Sequence, residues 1–390
     1  MTDLSQQRNT AINSLKKNNR MKKRIVFVST AMTAPYVLKK IKAFRKHGYE
    51  TVLYAYNRGN DFERLESQDL GKVVDLGYLE SGKGYVKKLL LHIQSLKRVF
   101  KENNSNDSLF ILFMFDLALI NLLFYGRKIV YHISDMTYTK TKNNMFVNLF
   151  RKIDRLIVKK SYITMVTSKG FCKYLYPEGD IYNKFVEVPN LLQEDNPYER
   201  KDAKFLNSTE ALRFGFVGLS RYESPIRIAK VVGEHFPNHS FAFYGNGIPE
   251  LMEEIDVLVR NYPNISSHGR FNSSTDLDNI YSNIDILICC YDVTNTNVRL
   301  AEPNKLYEAM FFNKPIVVSD GTYLAERVLG LGVGFFVDAT NEQCIKAFIE
   351  ELTLDKINFT IERIKNQNTA SLIDDGDAVV KTIVERTNLN

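Results

Sequence analysis

Residues 301–320, AEPNKLYEAMFFNKPIVVSD, place polar side chains at the start of a predicted helix that leads into an apolar strand. Pro303 is typical of a first helical turn, because its fixed φ suits that position and its missing amide would have no partner there. The amides of Asn304, Lys305 and Leu306 would then point out of the helix end, where the helix dipole favours an anion such as a phosphate. Lys305 adds a full positive charge at the same place.

The rest of this helix start suggests a larger ligand than phosphate. Glu308, one turn further on, would accept hydrogen bonds from sugar hydroxyls. A ligand bound between millimolar and micromolar needs roughly 4–8 kcal/mol, and a helix terminus supplies only about 0.3–2 kcal/mol. Two turns, VGLSRYESPIR and YGNGIPE, offer further basic and small residues: Gly218, Arg221, Arg227 and Gly245. The same helix residues would also fit the solvated face of a capped helix.

The elements that would position these residues form two similar series. Continuous apolar runs such as KRIVFVST (23–30) alternate with amphipathic helices, which predicts parallel strands buried on both faces. The pattern restarts with LRFGFVG at 212. We therefore predict two doubly wound, Rossmann-like α/β domains whose strand ends face each other across a cleft. The predicted boundaries are a basic N-terminal extension (1–20), a first domain (21–195), a linker (196–211), a second domain (212–370) and a C-terminal helix (371–390) that could return to the first domain.

The composition is that of an ordinary globular protein, with 44% apolar and 25% charged residues among 390. The four cysteines show no metal-binding spacing, and Cys289 and Cys290 end an apolar run, so buried thiols in a reducing compartment are expected. The apolar run 109–126 has Asp116 at its middle, which favours a buried strand and helix over a membrane span. No secretory signal is recognisable, and we expect a cytoplasmic protein.

The charge is unevenly distributed along the chain. Residues 1–200 hold 34 Lys and Arg against 19 Asp and Glu, whereas residues 201–390 hold 18 against 26. The predicted helices at 84–103 and 143–160 combine apolar stripes with many of these basic residues. Solvated lysines on core-facing helices would explain either helix alone. The total favours a surface that meets anionic lipid at about 1 kcal/mol per lysine, and no nucleic-acid motif is present.

Two further patterns could carry chemistry. SDMTY (134–138) puts Asp135 in the loop after the strand KIVYHI, where it could act as a base or orient an acceptor, with His132 on the strand itself as a weaker candidate. DLD (276–278) could suggest a metal site. It opens a helix, however, and acidic residues in a first turn are better explained by the helix dipole, so we expect no metal.

At this point the sequence resembles a known family. FVGLSR, FAFYGNG, YSNIDILICCYD and PNKLYEAMFFNKPIVVSD occur in the order and spacing of the nucleotide-sugar domain of GT-B glycosyltransferases, especially the retaining group with an E-x7-E signature. The resemblance covers most of residues 212–352. A weaker resemblance to the acceptor domain of the same family lies in KRIVFVST and KIVYHISDMTY.

The resemblance implies roles only where residues match. Glu308 falls on the second glutamate of the signature, which in the family holds the nucleotide ribose. The amides of 304–306 fall where the family binds the diphosphate, with Arg221 and Arg227 near its basic ligands, and Asp135 falls where relatives keep a catalytic or acceptor-contacting side chain. The first glutamate of the signature falls on Leu300. Glu302, two positions later, is the candidate to replace it and the second catalytic candidate.

The resemblance thus implies a glycosyltransferase that uses a nucleotide-sugar donor, with UDP- or GDP-sugar expected, and requires no other cofactor and no metal. The expected acceptor is a glycan or lipid-linked glycan in capsule, exopolysaccharide or other surface polysaccharide synthesis, reached from the cytoplasmic face of the inner membrane. Two alternatives stay open. The missing glutamate would fit a non-catalytic partner of another transferase, and a sugar-nucleotide epimerase would have the same architecture.

Overall fold

A computed structural model of the chain describes residues 24–57, 65, 68–79, 85–103, 108–141 and 143–388, with residues 85–87 described by their backbone only. The predicted N-terminal extension and residue 84, the first of the predicted basic helix, lie outside the described residues. The chain forms two compact units. Of the described residues, unit 1 holds those between 24 and 132, 156–165 and 376–388, and unit 2 holds those between 133 and 155 and between 166 and 375.

The first sheet follows the apolar runs of the first half of the sequence. In the described residues its seven strands lie in the order β3-β2-β1-β4-β5-β6-β7, with β7 at Phe185–Glu187. Strand β1 pairs in parallel with both β2 and β4. All residues of β4 and β5 are buried, as expected for strands covered on both faces. The strands are β1 (Arg24–Ser29), β2 (Thr51–Asn57), β3 (Lys72–Tyr78), β4 (Ser108–Phe113), β5 (Val130–Ile133) and β6 (Ile163–Val166).

The helices of this half include two with many basic residues. The predicted helices at 84–103 and 143–160 are found at Tyr85–Glu102 and Asn144–Lys160. The apolar run 109–126 forms β4 and a buried helix that ends in a π-helical turn, Asn121–Tyr125, as expected for a strand that leads into a helix. The helices are α1 (Pro35–Lys46), α2 (Tyr85–Glu102), α3 (Phe115–Ile120), α4 (Asn144–Lys160) and α5 (Lys169–Leu175), followed by the short strands β7 (Phe185–Glu187) and β8 (Leu192–Gln193).

The second sheet is all parallel and lies within unit 2. Its order is β11-β10-β9-β12-β13-β14, so the chain order reads 3-2-1-4-5-6 across the sheet. Two apolar clusters of buried residues cover its two faces. The strands are β9 (Arg213–Val217), β10 (Ser240–Tyr244), β11 (Ile265–Ser267), β12 (Ile286–Cys289), β13 (Ile316–Ser319) and β14 (Gly334–Val337).

The helices of unit 2 follow these strands in turn. They are α6 (Ser224–His235), α7 (Pro249–Asn261), α8 (Leu277–Ser282), α9 (Thr296–Leu300), α10 (Lys305–Phe311), α11 (Tyr323–Leu331), α12 (Glu342–Glu350) and α13 (Leu354–Lys365). In a sheet of this order the chain changes direction between β9 and β12, and ligands of such folds bind outside the carboxyl ends of the strands at that point. The loops that follow Val217 and Cys289 therefore flank the expected binding position.

Within unit 2, the short strand β8 pairs in parallel with β15 (Ile373–Asp374). The last helix, α14 (Asp377–Thr387), belongs to unit 1. There Asp377 lies 3.0 Å from His47 Nε2 and 3.4 Å from Lys46 Nζ. Gly376 enters this helix with φ of 73°, and a Cβ atom on it would lie 2.3 Å from Ala43 Cβ, so only glycine fits.

Among the residues that the structure describes, no helix combines the length and the apolar character needed to cross a bilayer.

Candidate active site

The two glycines predicted near a ligand hold neighbouring turns together. Gly218 and Gly245 have φ of 144° and 138°, and a Cβ atom on Gly245 would lie 1.8 Å from the carbonyl oxygen of Gly218. The Gly218 amide donates to Tyr244 O at 2.8 Å, and the Ser220 amide donates to Asn246 O at 2.8 Å. These turns leave the carboxyl ends of β9 and β10. A Cβ atom on Gly218 would lie 3.8 Å from Lys305 Cε, which brings α10 to the same place.

The start of α10 lies two residues later than the sequence suggests. Asn304 is the residue before the first helical position, Lys305. The Leu306 amide donates to the Pro303 carbonyl at 3.3 Å, and Leu306 itself is buried. The expectation that the Leu306 amide is free for an anion is therefore wrong, because a tight first turn already uses it.

Glu308 is the centre of a buried polar cluster. Its side chain accepts hydrogen bonds from Tyr281 Oη at 2.8 Å and from Asn304 Nδ2 at 2.7 Å, and it forms an ion pair with Lys305. Only 7% of Glu308 is exposed. Burial, and then the Glu308 charge, raise the pKa of Tyr281 well above its usual value, so this hydroxyl stays a donor. Three donors thus fix the carboxylate that the sequence assigns to a ribose.

The two arginines of the first turn differ in their surroundings. Arg221 is exposed on the turn itself. Arg227 lies in α6, where it donates to the Ala339 carbonyl at 2.8 Å and meets Glu223 at 3.3 Å. Arg227 therefore joins α6 to the loop after β14, whereas Arg221 has a side chain that can reach a ligand.

Asp292, in the loop after β12, is a positioning residue beside the candidate site that sequence reasoning missed. Its carboxylate accepts hydrogen bonds from the amides of Glu223 and Ser224 at 3.2 and 3.1 Å and from Ser224 Oγ at 2.6 Å. The amino end of α6 is thus capped by a carboxylate of the protein, which takes the position where a helix dipole would attract an anion. The signal in the sequence was an aspartate directly after an apolar strand, in YDVT.

The turn between these groups is lined by aromatic rings. Tyr222 and Tyr291 lie with ring centroids 4.9 Å apart. Burial raises the pKa of Tyr222; the Arg221 charge lowers it, and the charges of Asp135 and Asp292 raise it. Charges of both signs therefore surround the Tyr222 ring beside the switch point of the sheet.

Asp135 lies in the loop after β5 and is exposed, in a part of the chain that belongs to unit 2. Its Oδ1 accepts from Asn297 Nδ2 at 2.8 Å, while Asn297 Oδ1 accepts from the Met136 amide at 2.7 Å. Asn297, on the short helix α9, was not a sequence candidate. It fixes the direction of the Asp135 carboxylate and leaves the second oxygen on an exposed side chain.

Glu302 lies in the interior of unit 2. It is 1% exposed, and its carboxylate accepts from the Tyr307 hydroxyl and from Arg327 Nε, the latter at 3.0 Å. Burial raises the pKa of Glu302, and the hydrogen bond from Tyr307 and the Arg327 charge counteract this. Leu300, where the signature glutamate is expected, ends α9 and accepts a hydrogen bond from Ser168 at 2.5 Å. Both Glu302 oxygens are used by the protein, so its placement does not support the predicted catalytic role.

The weaker candidates, His132 and the DLD triplet, lie in surroundings that favour a structural role. His132 is fully buried in unit 1, where burial lowers its pKa to about 3 and its ring stacks on Tyr36 at 5.7 Å. Asp276 accepts from the Asn272 amide at 2.7 Å, and Asp278 pairs with Lys201 at 2.7 Å. In the ranges that the structure describes, no group of three or more His, Cys, Asp or Glu side chains could hold a metal ion.

Comparisons with known proteins place the fold. No protein-family model matches the sequence, and no curated protein matches it. Among solved structures, sucrose-phosphate synthase from Thermosynechococcus elongatus is 13% identical, with a TM-score of 0.72 over 94% of this chain and 98% of that chain. Anabaena HepE in complex with UDP-glucose is 13% identical, with a TM-score of 0.65 over 93% and 99% of the two chains. A UDP-N-acetylglucosamine 2-epimerase is 12% identical, with a TM-score of 0.61 over 95% and 98%.

These similarities, together with the two parallel sheets, identify the GT-B fold. The fold class predicted from the sequence is thereby confirmed.

Proposed function

We propose that the protein is a glycosyltransferase that moves a sugar from a nucleotide-sugar donor to a glycan or lipid-linked acceptor. The observation that carries this proposal is the cluster around Glu308 at the carboxyl edge of the second sheet, beside the turns of Gly218 and Gly245. This edge is where Rossmann-like sheets bind nucleotides. A fixed carboxylate next to a lysine suits a ribose next to a diphosphate.

The donor would bind through charges that the cluster can rearrange. Lys305 pairs with Glu308 in the structure. When a diphosphate arrives, Lys305 would turn to it, and Glu308 would keep its bonds from Tyr281 and Asn304 while it accepts from a ribose hydroxyl. Arg221 would supply a second cation. Each charge-assisted hydrogen bond contributes about 1.5–3 kcal/mol, so two or three of them cover most of a micromolar affinity.

The acceptor side would use Asp135. Its carboxylate is oriented by Asn297 through a 2.8 Å hydrogen bond, which suits a group that orients an acceptor hydroxyl or takes its proton. Lys305 and Arg221 would neutralise the leaving diphosphate without a metal ion. UDP-sugars are the first donors to test, because HepE was solved with UDP-glucose.

A lipid-linked acceptor would require attachment to a membrane surface, and α4 has the required side chains. The part of α4 that belongs to unit 2 exposes apolar and basic side chains at helical spacing. Met145 and Leu149 are 72% and 49% exposed, and Lys152 is exposed one turn further on. Such a stripe suits the surface of an anionic bilayer, where apolar side chains enter the interface and lysines meet lipid headgroups. We propose peripheral attachment at the cytoplasmic face, in surface polysaccharide synthesis.

The test is calorimetric titration of the full chain with UDP, GDP, ADP, CMP and their common sugar conjugates. One nucleotide should bind to the wild type, and Glu308→Gln should weaken it at least tenfold, because a neutral amide makes a weaker hydrogen bond to the ribose. Arg221→Ala should weaken it similarly, and this exposed residue can be removed without harm to the fold. Glu326→Gln, an exposed residue paired with Lys173, is the matched control and should leave affinity unchanged.

Two outcomes would replace the proposal. A folded wild type that binds none of the nucleotides would favour a non-catalytic partner of another transferase. Conversion of a UDP-sugar to an isomer without any acceptor would favour an epimerase, which shares the fold. Transfer to a polyprenyl-linked or glycan acceptor, measured by release of the free nucleoside diphosphate, would support the transferase.

A further inference from the structure

A cavity within unit 2 lies at the opposite edge of its sheet from the Glu308 cluster. It has a volume of about 470 Å³. Arg213 begins β9, while Asp285 and Lys314 lie just before β12 and β13, so the amino ends of three strands form its floor. The five residues of β9, at ~3.3 Å each, put roughly 16 Å between this pocket and the carboxyl edge. The pocket is therefore separate from the proposed donor site.

One wall of the pocket is the segment 196–211, which the sequence predicts to be a linker. Arg200 fastens it to unit 2 with hydrogen bonds to the carbonyls of Gln367 and Ile364, both 2.6 Å, and to Asn313 Oδ1 at 3.2 Å. Asn313 Nδ2 donates in return to the Lys201 carbonyl at 2.7 Å. A second pair of bonds joins Leu206 to Asn358, both 2.9 Å. The pocket is therefore built before any ligand arrives.

The charges that line the pocket do not balance. Arg213 uses both oxygens of Asp285, at 3.0 and 2.6 Å, and Lys201 pairs with Asp278 at 2.7 Å. Within the described parts of the chain, no ion pair involves either of the remaining lysines, Lys204 and Lys314. Asp202, on the exposed rim, is the remaining acidic side chain of the lining.

Lys314 is a half-buried cation of this lining. Its pKa is lowered to about 8, mainly by burial; the Asp285 charge raises it, and the smaller effects of Arg213 and Lys204 lower it. An ammonium group that has lost part of its solvent gains free energy when an anion binds beside it. The wall beside it is apolar, because the rings of Tyr281 and Phe312, stacked at 4.4 Å, line the same pocket.

We propose that this pocket binds a small organic phosphate, whose dianion lies between Lys314 and Lys204 and whose ring or sugar lies against Phe312. A phosphomonoester carries close to two negative charges at neutral pH, which matches two unpaired lysines. A pocket of this volume suits a small-molecule ligand. Its lining combines aromatic and aliphatic side chains such as Phe205 and Phe312 with charged groups that would fix the orientation of a phosphate.

The experiment is calorimetric titration of the full chain with phenyl phosphate, inorganic phosphate and phenol. Phenyl phosphate should bind most tightly, since only it has both the dianion and the ring. Lys204→Gln and Lys314→Gln should each weaken phenyl phosphate at least tenfold, and Lys204 is exposed, so its variant will fold even if the other does not. Lys230→Gln, a surface lysine paired with Glu342, is the matched control.

The pH dependence gives an independent readout. Lys314 loses its proton at a pH near 8 in the free protein, while the phosphate stays dianionic from pH 7 upward. Affinity for phenyl phosphate should therefore fall between pH 7 and 9 in the wild type, and this fall should be absent in Lys314→Gln. Retained binding in both lysine variants, or loss of binding in Arg221→Ala, would place the phosphate at the other edge of the sheet and overturn the proposal. No binding by a folded wild type at millimolar phenyl phosphate would also overturn it. Nucleotide titrations are a separate measurement, so either proposal can fail alone.

Discussion

A buried carboxylate needs donors for its oxygens, and the identity of those donors separates a ligand-binding glutamate from a structural one. Glu302 is held by Tyr307 and by Arg327, and both contacts tie α9, α10 and α11 together. Glu308 is held by a flexible lysine as well as by Tyr281. A lysine can leave for a phosphate at the cost of one ion pair, whereas loss of the Glu302 contacts would disturb three helices. The two glutamates of this helix start therefore have different expected roles.

At the residue scale, we predict a structural role for Glu302. Glu302→Ala should lower the free energy of unfolding of the protein by about 2–3 kcal/mol, because the buried Tyr307 hydroxyl and Arg327 lose their acceptor. Urea denaturation followed by circular dichroism measures this. Glu302→Gln keeps an acceptor oxygen and should retain most of the transferase rate.

The control and the contrary outcome are both simple to recognise. Glu326→Ala removes an exposed partner of Lys173 and should change the unfolding free energy by less than about 0.5 kcal/mol. A Glu302→Gln protein that is as stable as the wild type but at least a hundredfold slower would restore the catalytic role for Glu302.

At the scale of elements, runs of apolar residues were sufficient to predict the strands that are buried on both faces. The run IDILICC predicts β12, in which every residue is buried. The edge strand β3 gave no such signal, because Asp75 interrupts its apolar residues and most of its side chains are exposed. An edge strand forms hydrogen bonds with only one neighbouring strand and buries less of its surface, so its sequence is less constrained.

The sequence suggests those residues of the candidate site that are neighbours along the chain, but not those that only the tertiary fold brings to it. Pro303, Lys305 and Glu308 stand close together in the sequence, and helix geometry alone brings them to one end. Tyr281 reaches the site from helix α8, 27 residues from Glu308. Asp292 reaches it from the loop after β12, 68 residues from Ser224. Those partners depend on the sheet order, which a single sequence does not state.

The element-scale prediction concerns the exposed stripe of α4. The wild type should float with vesicles that contain phosphatidylglycerol, less with pure phosphatidylcholine vesicles, and less as salt is raised, because lysines contribute electrostatically. A Met145→Glu and Leu149→Glu double variant should bind the anionic vesicles at least tenfold more weakly, since two apolar side chains no longer enter the interface.

The matched control places the same charge on another exposed leucine. Leu329 on α11 is 53% exposed, and Leu329→Glu should float like the wild type. Equal flotation of the double variant and the wild type would assign membrane attachment, if any, to another surface.

At the scale of the whole molecule, the restart of the apolar pattern at 212 predicted a second Rossmann-like α/β domain, and the second parallel sheet confirms it. The two proposed ligand sites both lie in this domain, at opposite edges of one sheet. Tyr281 belongs to both sites. Its ring lines the rear pocket, the cavity at the amino ends of β9, β12 and β13, and its hydroxyl donates to Glu308 at 2.8 Å. The α10 helix also joins them, because it carries Glu308 and ends next to Phe312 and Lys314.

These shared parts predict coupling between the two sites, which rests on both proposals. A phosphate ligand packed against Phe312, whose ring stacks on that of Tyr281 at 4.4 Å, would hold the Tyr281 hydroxyl, and hence Glu308, in the position that accepts a ribose. Saturating phenyl phosphate should therefore tighten nucleotide binding by about fivefold, and the nucleotide should tighten phenyl phosphate by the same factor, because coupling of binding free energies is reciprocal. Calorimetry of each ligand in the presence of the other measures both factors.

Tyr281→Phe is the variant that tests this route. It keeps the ring in the rear pocket, so phenyl phosphate should bind with unchanged affinity, but it removes the hydroxyl that fixes Glu308. Nucleotide binding should weaken several-fold, and the coupling should fall to a factor near one. If Tyr281→Phe keeps the full coupling, the backbone of α10 carries it rather than the hydroxyl. If the wild type binds both ligands with no mutual effect, the two edges of the sheet act independently.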